Sequence, residues 1–150
     1  GVYALNFARM YFGTDIVRTV SNCHIGPTGM DMHECISLSY ADGKMANLQS
    51  GALCLNDRQG IISGTEGYIR IDNINCPECI EVWRNYELAE RITRPESMVN
   101  GYEYQVIECK RCIENGLLES PMMPHKETID IMKQMDSLRK EWGVVYPMDK

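Results

Sequence analysis

No GxGxxG run, Walker sequence or Gly-x-Ser-x-Gly elbow occurs in these 150 residues. The chain therefore encodes neither a self-contained dinucleotide or phosphate cradle nor a hydrolase nucleophile. Gly60, Gly64 and Gly67 have the wrong spacing for such a cradle and read as hairpin glycines between strands. No apolar run approaches the roughly 20 residues needed to cross a bilayer. The opening Gly1-Val2-Tyr3-Ala4-Leu5-Asn6 also lacks the basic flank and small-residue cleavage pattern of a secretion signal. Clustered lysines and arginines with interleaved aromatics are missing too, and 15 Lys and Arg against 21 Asp and Glu leave a net charge of -6. That balance repels polyanions and excludes nucleic acid as an expected partner. The three histidines, His24, His33 and His125, are too few and scattered to form a ligand set.

What is present describes a folded domain. Hydrophobic residues make up 44% and charged residues 24%, so one core is expected within one domain over residues 1–150. The chain opens inside a helix without an initiator Met, which is expected of a fragment. Seven cysteines, an odd number without a secretion signal, predict reduced thiols in a cytoplasmic protein. Cys76-Pro77-Glu78-Cys79 and Cys109-Lys110-Arg111-Cys112 could supply four thiolates to zinc. However, the 29 residues from 80 to 108 separate the pairs, against the roughly 15 to 20 of such sites. Cys109 also falls on the apolar stripe of a predicted helix, where it reads as a small buried hydrophobe. The expectation is no metal. Met122, Met123, Met132 and Met135 read as core filling rather than a promiscuous groove.

Leu5, Ala8, Arg9 and Phe12 share one side at helical spacing, with Gly13 as the stop. Strands are predicted over 16–25 and 32–40, the second placing Met32, Ile36, Leu38 and Tyr40 on one face with Glu34 as the exception. Asp42-Gly43 predicts a two-residue turn into a strand over 44–54. A second hairpin, 61–63 with 68–72, turns at Gly64-Thr65-Glu66-Gly67, and strands follow at 79–84 and 88–93. Tyr102, Val106, Cys109 and Ile113 then mark a helix ended by Asn115-Gly116. Ile129, Met132, Met135, Leu138 and Trp142 mark a last helix, stopped at Gly143. This order predicts an α+β fold in which residues 16–93 form one open, predominantly antiparallel sheet with helices packed on one face.

Several of these segments together resemble the carboxy-terminal domain of the glucose-fructose oxidoreductase, inositol dehydrogenase and rhizopine-catabolism (Gfo/Idh/MocA) family, in particular its dihydrodiol- and xylose-dehydrogenase-like branch. The segments are Gly1-Val2-Tyr3-Ala4-Leu5-Asn6 with Phe12-Gly13, Tyr40-Ala41-Asp42-Gly43, Ile62-Ser63-Gly64-Thr65-Glu66-Gly67, Met135-Asp136-Ser137-Leu138-Arg139 and Trp142-Gly143-Val144-Val145-Tyr146-Pro147. The resemblance implies a fold like the carboxy-terminal domain of glyceraldehyde-3-phosphate dehydrogenase. It also implies the substrate-binding and dimerising part of an NAD(P)-dependent oxidoreductase acting on a sugar or polyol hydroxyl. The NAD or NADP would be held by a preceding Rossmann domain, and this chain alone would bind none and be inactive.

In the family an Asp is followed four residues later by His or Tyr. Tyr3 matches the second position, which puts the Asp ahead of Gly1. Tyr3 is thereby the inherited candidate for proton transfer, with an aromatic packed on the sheet edge as the competing reading. Asn6, three residues on, and Arg58, in the loop before the second hairpin, are the candidates for substrate hydrogen bonds. The resemblance further implies a homodimer through sheet faces. A non-catalytic, sheet-mediated protein-interaction module and a zinc-stabilised module are the alternative readings.

Overall fold

A computed structural model describes residues 1–149. The chain forms two compact units, one built from Gly1–Leu55 with the chain from Lys126 onward, the other from Asn56–His125.

The first unit holds helix α1 (Val2–Phe12), strands β1 (Ile16–Ile25), β2 (Asp31–Tyr40) and β3 (Met45–Gly51), helix α3 (His125–Trp142) and a short 3-10 turn at Pro147–Asp149. β1, β2 and β3 pair antiparallel in that order. The alternation predicted for β2 holds: Glu34, Ile36, Leu38 and Tyr40 are buried, whereas Cys35 is exposed. Leu5 and Ala8 from α1 and Ile131 and Leu138 from α3 close on Ile36, Leu38 and Tyr40 to make the core. Both helices thus cover one sheet face, as an amphipathic stripe on a half-buried sheet requires. Inside this unit Phe12 stands edge-on to Tyr40, with ring centroids 5.6 Å apart. On the outward face Ser37 Oγ donates to Asn47 Oδ1 at 2.8 Å, and Gln49 Nε2 lies 2.8 Å from His33 Nε2.

The second unit holds β4 (Gly60–Ser63), β5 (Gly67–Ile71), β6 (Cys79–Arg84), β7 (Glu87–Thr93) and helix α2 (Tyr102–Glu114). Its four strands pair antiparallel in sequence order. Glu81, only 3% exposed, is gripped by Arg70 and Arg91 from the flanking strands and accepts the Trp83 indole N–H at 3.0 Å. The Tyr68 and Trp83 rings stack beside it at 5.8 Å.

The α+β class with antiparallel pairing is as expected. The single layer over residues 16–93 is corrected to two separately bonded sheets. The break falls at the loop between β3 and β4. There Asn56 Oδ1 takes the Arg58 amide at 2.9 Å and Asp57 Oδ1 takes the Gln59 amide at 3.1 Å. Side-chain oxygens that satisfy backbone N–H groups locally divert them from a ladder. β3 also ends at Gly51, short of the predicted 54, and leaves Ala52 and Cys54 exposed.

Other local differences have similarly local causes. The β2–β3 turn has three residues rather than two. Tyr40 N–H donates to Lys44 O and Gly43 N–H to Tyr40 O, both at 3.0 Å, and Gly43 alone is left-handed, at φ 87°. This is a type I turn followed by one left-handed residue. On α2 the predicted stripe faces solvent, with Val106 69% and Ile113 77% exposed, and Cys112 rather than Cys109 is buried. On α3 the packed positions are Ile131, Met135, Leu138 and Trp142, while Ile129 and Met132 are about half exposed. Met122 and Met123 are exposed as well, so of the four methionines read as core filling only Met135 packs against the core.

Candidate functional site around the first helix

Helix α1 turns Leu5, Ala8 and Arg9 inward, which leaves Tyr3 on the side away from the core, 61% exposed. Tyr3 is not among the residues packed against the core of this unit. Asn6 is half-buried, and its Nδ2 donates to the Val2 carbonyl at 3.1 Å, which leaves its side-chain oxygen available as an acceptor. Phe7 and Tyr11 continue this outer side, their ring centroids 5.0 Å apart, and Met10 is 73% exposed. This side of α1 thus carries an exposed aromatic and apolar strip beside polar side chains.

The inward side of α1 is fixed by a charged clamp. The Arg9 guanidinium, itself buried, bonds both carboxylate oxygens of Glu127 on α3, with Nη2 to Oε2 at 2.9 Å. That bonding holds the Glu127 carboxyl below its ordinary range and pushes the Arg9 guanidinium up. Sequence reading assigns no role to the Arg9 and Glu127 pair.

Tyr3 and Asn6 are thus brought together on α1. Arg58 belongs to the other unit, in the loop ahead of β4, exposed and left-handed at φ 54°, with its carbonyl accepting the Ile74 amide at 3.1 Å.

Among the described residues, no group of three or more His, Cys, Asp and Glu is placed to hold a metal ion. All seven cysteines are free. Among the described residues, no helix is long and apolar enough to cross a membrane. The glycines of the β4–β5 hairpin do not fit a dinucleotide. A Cβ on Gly67 would lie 1.9 Å from the Trp83 carbonyl oxygen, so that glycine admits a neighbouring strand rather than a phosphate.

No family model matches the chain. In sequence it is similar to trans-1,2-dihydrobenzene-1,2-diol dehydrogenase of Danio rerio, 26% identical over 156 residues, covering 99% of this chain and 46% of that protein. It is likewise similar to scyllo-inositol 2-dehydrogenase (NADP(+)) of Bacillus subtilis, 29% identical over 150 residues, covering 100% of this chain and 45% of that protein. The chain therefore spans about half the length of the curated relatives it matches. In fold it is similar to the aldose-aldose oxidoreductase of Caulobacter crescentus, with a TM-score of 0.78 at 19% identity over 93% of this chain and 43% of that one. The UDP-N-acetylglucosamine 3-dehydrogenase of Acidithiobacillus ferrooxidans gives a TM-score of 0.79 at 11% identity over 94% of this chain and 45% of that one.

Proposed function

We propose that this chain, whose sequence and fold are those of a carboxy-terminal domain of the glucose-fructose oxidoreductase and inositol dehydrogenase family, is the substrate-side and dimerising part of an NAD(P)-dependent oxidoreductase. Its substrate is a sugar or polyol oxidised at a hydroxyl. The observation that carries the reading is Tyr3. It is a phenol standing free of the core on the first turn of α1, in a chain similar along its whole length to dehydrogenases of small polyhydroxylated rings.

In this reading the Tyr3 hydroxyl exchanges a proton with the reacting oxygen, a task that needs a donor held within hydrogen-bond reach. The Asn6 side-chain oxygen accepts from a neighbouring hydroxyl. In this reading the NAD or NADP belongs to a Rossmann domain ahead of this chain, in keeping with hairpin glycines that admit a strand rather than a phosphate, and the chain alone has no turnover. The setting in this reading is cytoplasmic, in keeping with an odd number of cysteines, seven.

The test is Tyr3→Phe in the longer protein. Losing a positioned proton donor lowers kcat by about 10²- to 10⁴-fold with KM little changed. An undiminished kcat removes Tyr3 from the reaction.

A further inference from the structure

Arg9 is a charged residue on the inward side of α1, 8% exposed beside the core residues Leu5 and Ala8. Its guanidinium bonds both carboxylate oxygens of Glu127, and its Nη1 lies 3.4 Å from Gln134 Oε1. Glu127 and Gln134 stand about two turns apart on α3, at roughly 3.6 residues per turn, so one side chain grips that helix at two successive levels. All of these contacts join side chains well inside the sequence.

Replacing a buried ion pair by apolar side chains of similar volume is often neutral or stabilising, so stability does not account for the pair. What it adds is direction. Leu5 and Ala8 pack by non-directional burial, which tolerates a small turn of α1 about its axis, whereas a two-pronged bond between guanidinium and carboxylate fixes distance and angle together. Such a turn has its consequence on the outer side of the helix, where Tyr3 stands. A rotation of about 20° carries a side-chain tip roughly 5–6 Å from the axis through about 2 Å. A misplacement of about 1 Å can cost on the order of 10²-fold in rate.

From this geometry we infer that Arg9, held by Glu127, is a positioning residue for Tyr3: its two-pronged bond sets the rotation of α1 and with it the direction in which the phenol leaves the helix. The inference rests on the proton-transfer reading of Tyr3 and adds to it the contact that aims the tyrosine.

In the longer protein, Arg9→Met with Glu127→Leu replaces the pair by apolar side chains. The unfolding midpoint is held or raised, while kcat falls by about tenfold or more with a smaller change in KM. Arg9→Lys keeps the charge and gives up the fork, and its kcat falls as well. In a Tyr3→Phe background the double variant lowers kcat no further, because the group it positions is gone. Unchanged kcat in both variants overturns the inference, as does a loss that persists in full in the Tyr3→Phe background.

Nuclear Overhauser contacts within the 150-residue chain test the geometry without turnover. In the Arg9→Met, Glu127→Leu variant, contacts from the Leu5 and Ala8 methyls to Ile36 and Leu38 redistribute, while those between β1 and β2 hold. An unaltered pattern overturns the inference. These failures are separable from failure of the Tyr3 reading, in which Tyr3→Phe itself leaves kcat unchanged and the rotation of α1 still answers to Arg9.

Discussion

Asn85 and Tyr86 form the two-residue loop between β6 and β7, and both stand in the left-handed region, at φ 49° and 66°. With Arg84 paired to Glu87, this is the type I′ geometry that matches the twist of adjoining strands. Asn tolerates that conformation, whereas a tyrosine does so at a cost of about 1–2 kcal/mol. Tyr86 recovers none of it through packing, being 91% exposed. Tyr86→Gly is therefore expected to stabilise the chain by about 1 kcal/mol after the extra chain entropy of glycine is counted. Thermal unfolding should show a midpoint a few degrees higher. A lower midpoint would mean that the phenol makes a contact worth more than the strain.

The same reasoning at the scale of an element concerns α2, whose apolar side chains are mostly in solvent and so cannot be what holds it. Glu108 on its inner side accepts from Arg111 at 2.7 Å, Ser120 at 2.6 Å and Cys112 at 3.5 Å, tying the helix to the segment that follows. These bonds, Arg111 foremost, push the carboxyl down to about 2. A carboxyl depressed in the folded state contributes stability above its unfolded value, here 4.5, and the contribution is lost as the pH falls toward 2. Glu108→Gln is thus expected to lower the unfolding midpoint at pH 7 and to flatten its decline between about 4.5 and 2. Parallel acid limbs for the two proteins would contradict this. What was legible in the sequence follows the same division. β2 could be placed because its side chains alternate against a face that is buried, and α1 because its four inward positions leave little choice of stripe. The stripes of α2 and α3 could not, because each helix has more apolar residues than one face can hold, and periodicity counts them without knowing which face has a partner. The split into two sheets was invisible for a different reason: alternation reports the two faces of a strand and is silent about its neighbour. Tyr3 and Asn6 were found through resemblance, whereas the clamp of Arg9 on Glu127 needed coordinates.

At the scale of the whole molecule, the sheet-face dimer is a proposal, and the second sheet offers one surface on which to test it. Strand register sets Ile61, Arg70, Glu81 and Arg91 in one row across the second sheet, and Ser63, Tyr68, Trp83 and Leu88 in the next. Aromatic and arginine side chains with a central neutralised carboxylate are the composition of an interface centre rather than of a solvated sheet. Hydrogen bonding from Trp83 and then from the two arginines holds the Glu81 carboxyl below its usual range, so it stays ionised and matched to them. A two-fold axis would lay the same two rows on their copies, the self-complementary arrangement of most dimers. Ile61 is 57% and Leu88 42% exposed, so replacing both by Glu costs the folded chain little while placing like charges across the axis. Sedimentation equilibrium at micromolar concentration should give twice the chain mass for the native sequence and the single chain mass for the Ile61→Glu, Leu88→Glu variant, with circular dichroism unchanged. A native chain that sediments as a monomer rules out the sheet-face dimer, and a variant that remains dimeric moves the interface to another surface.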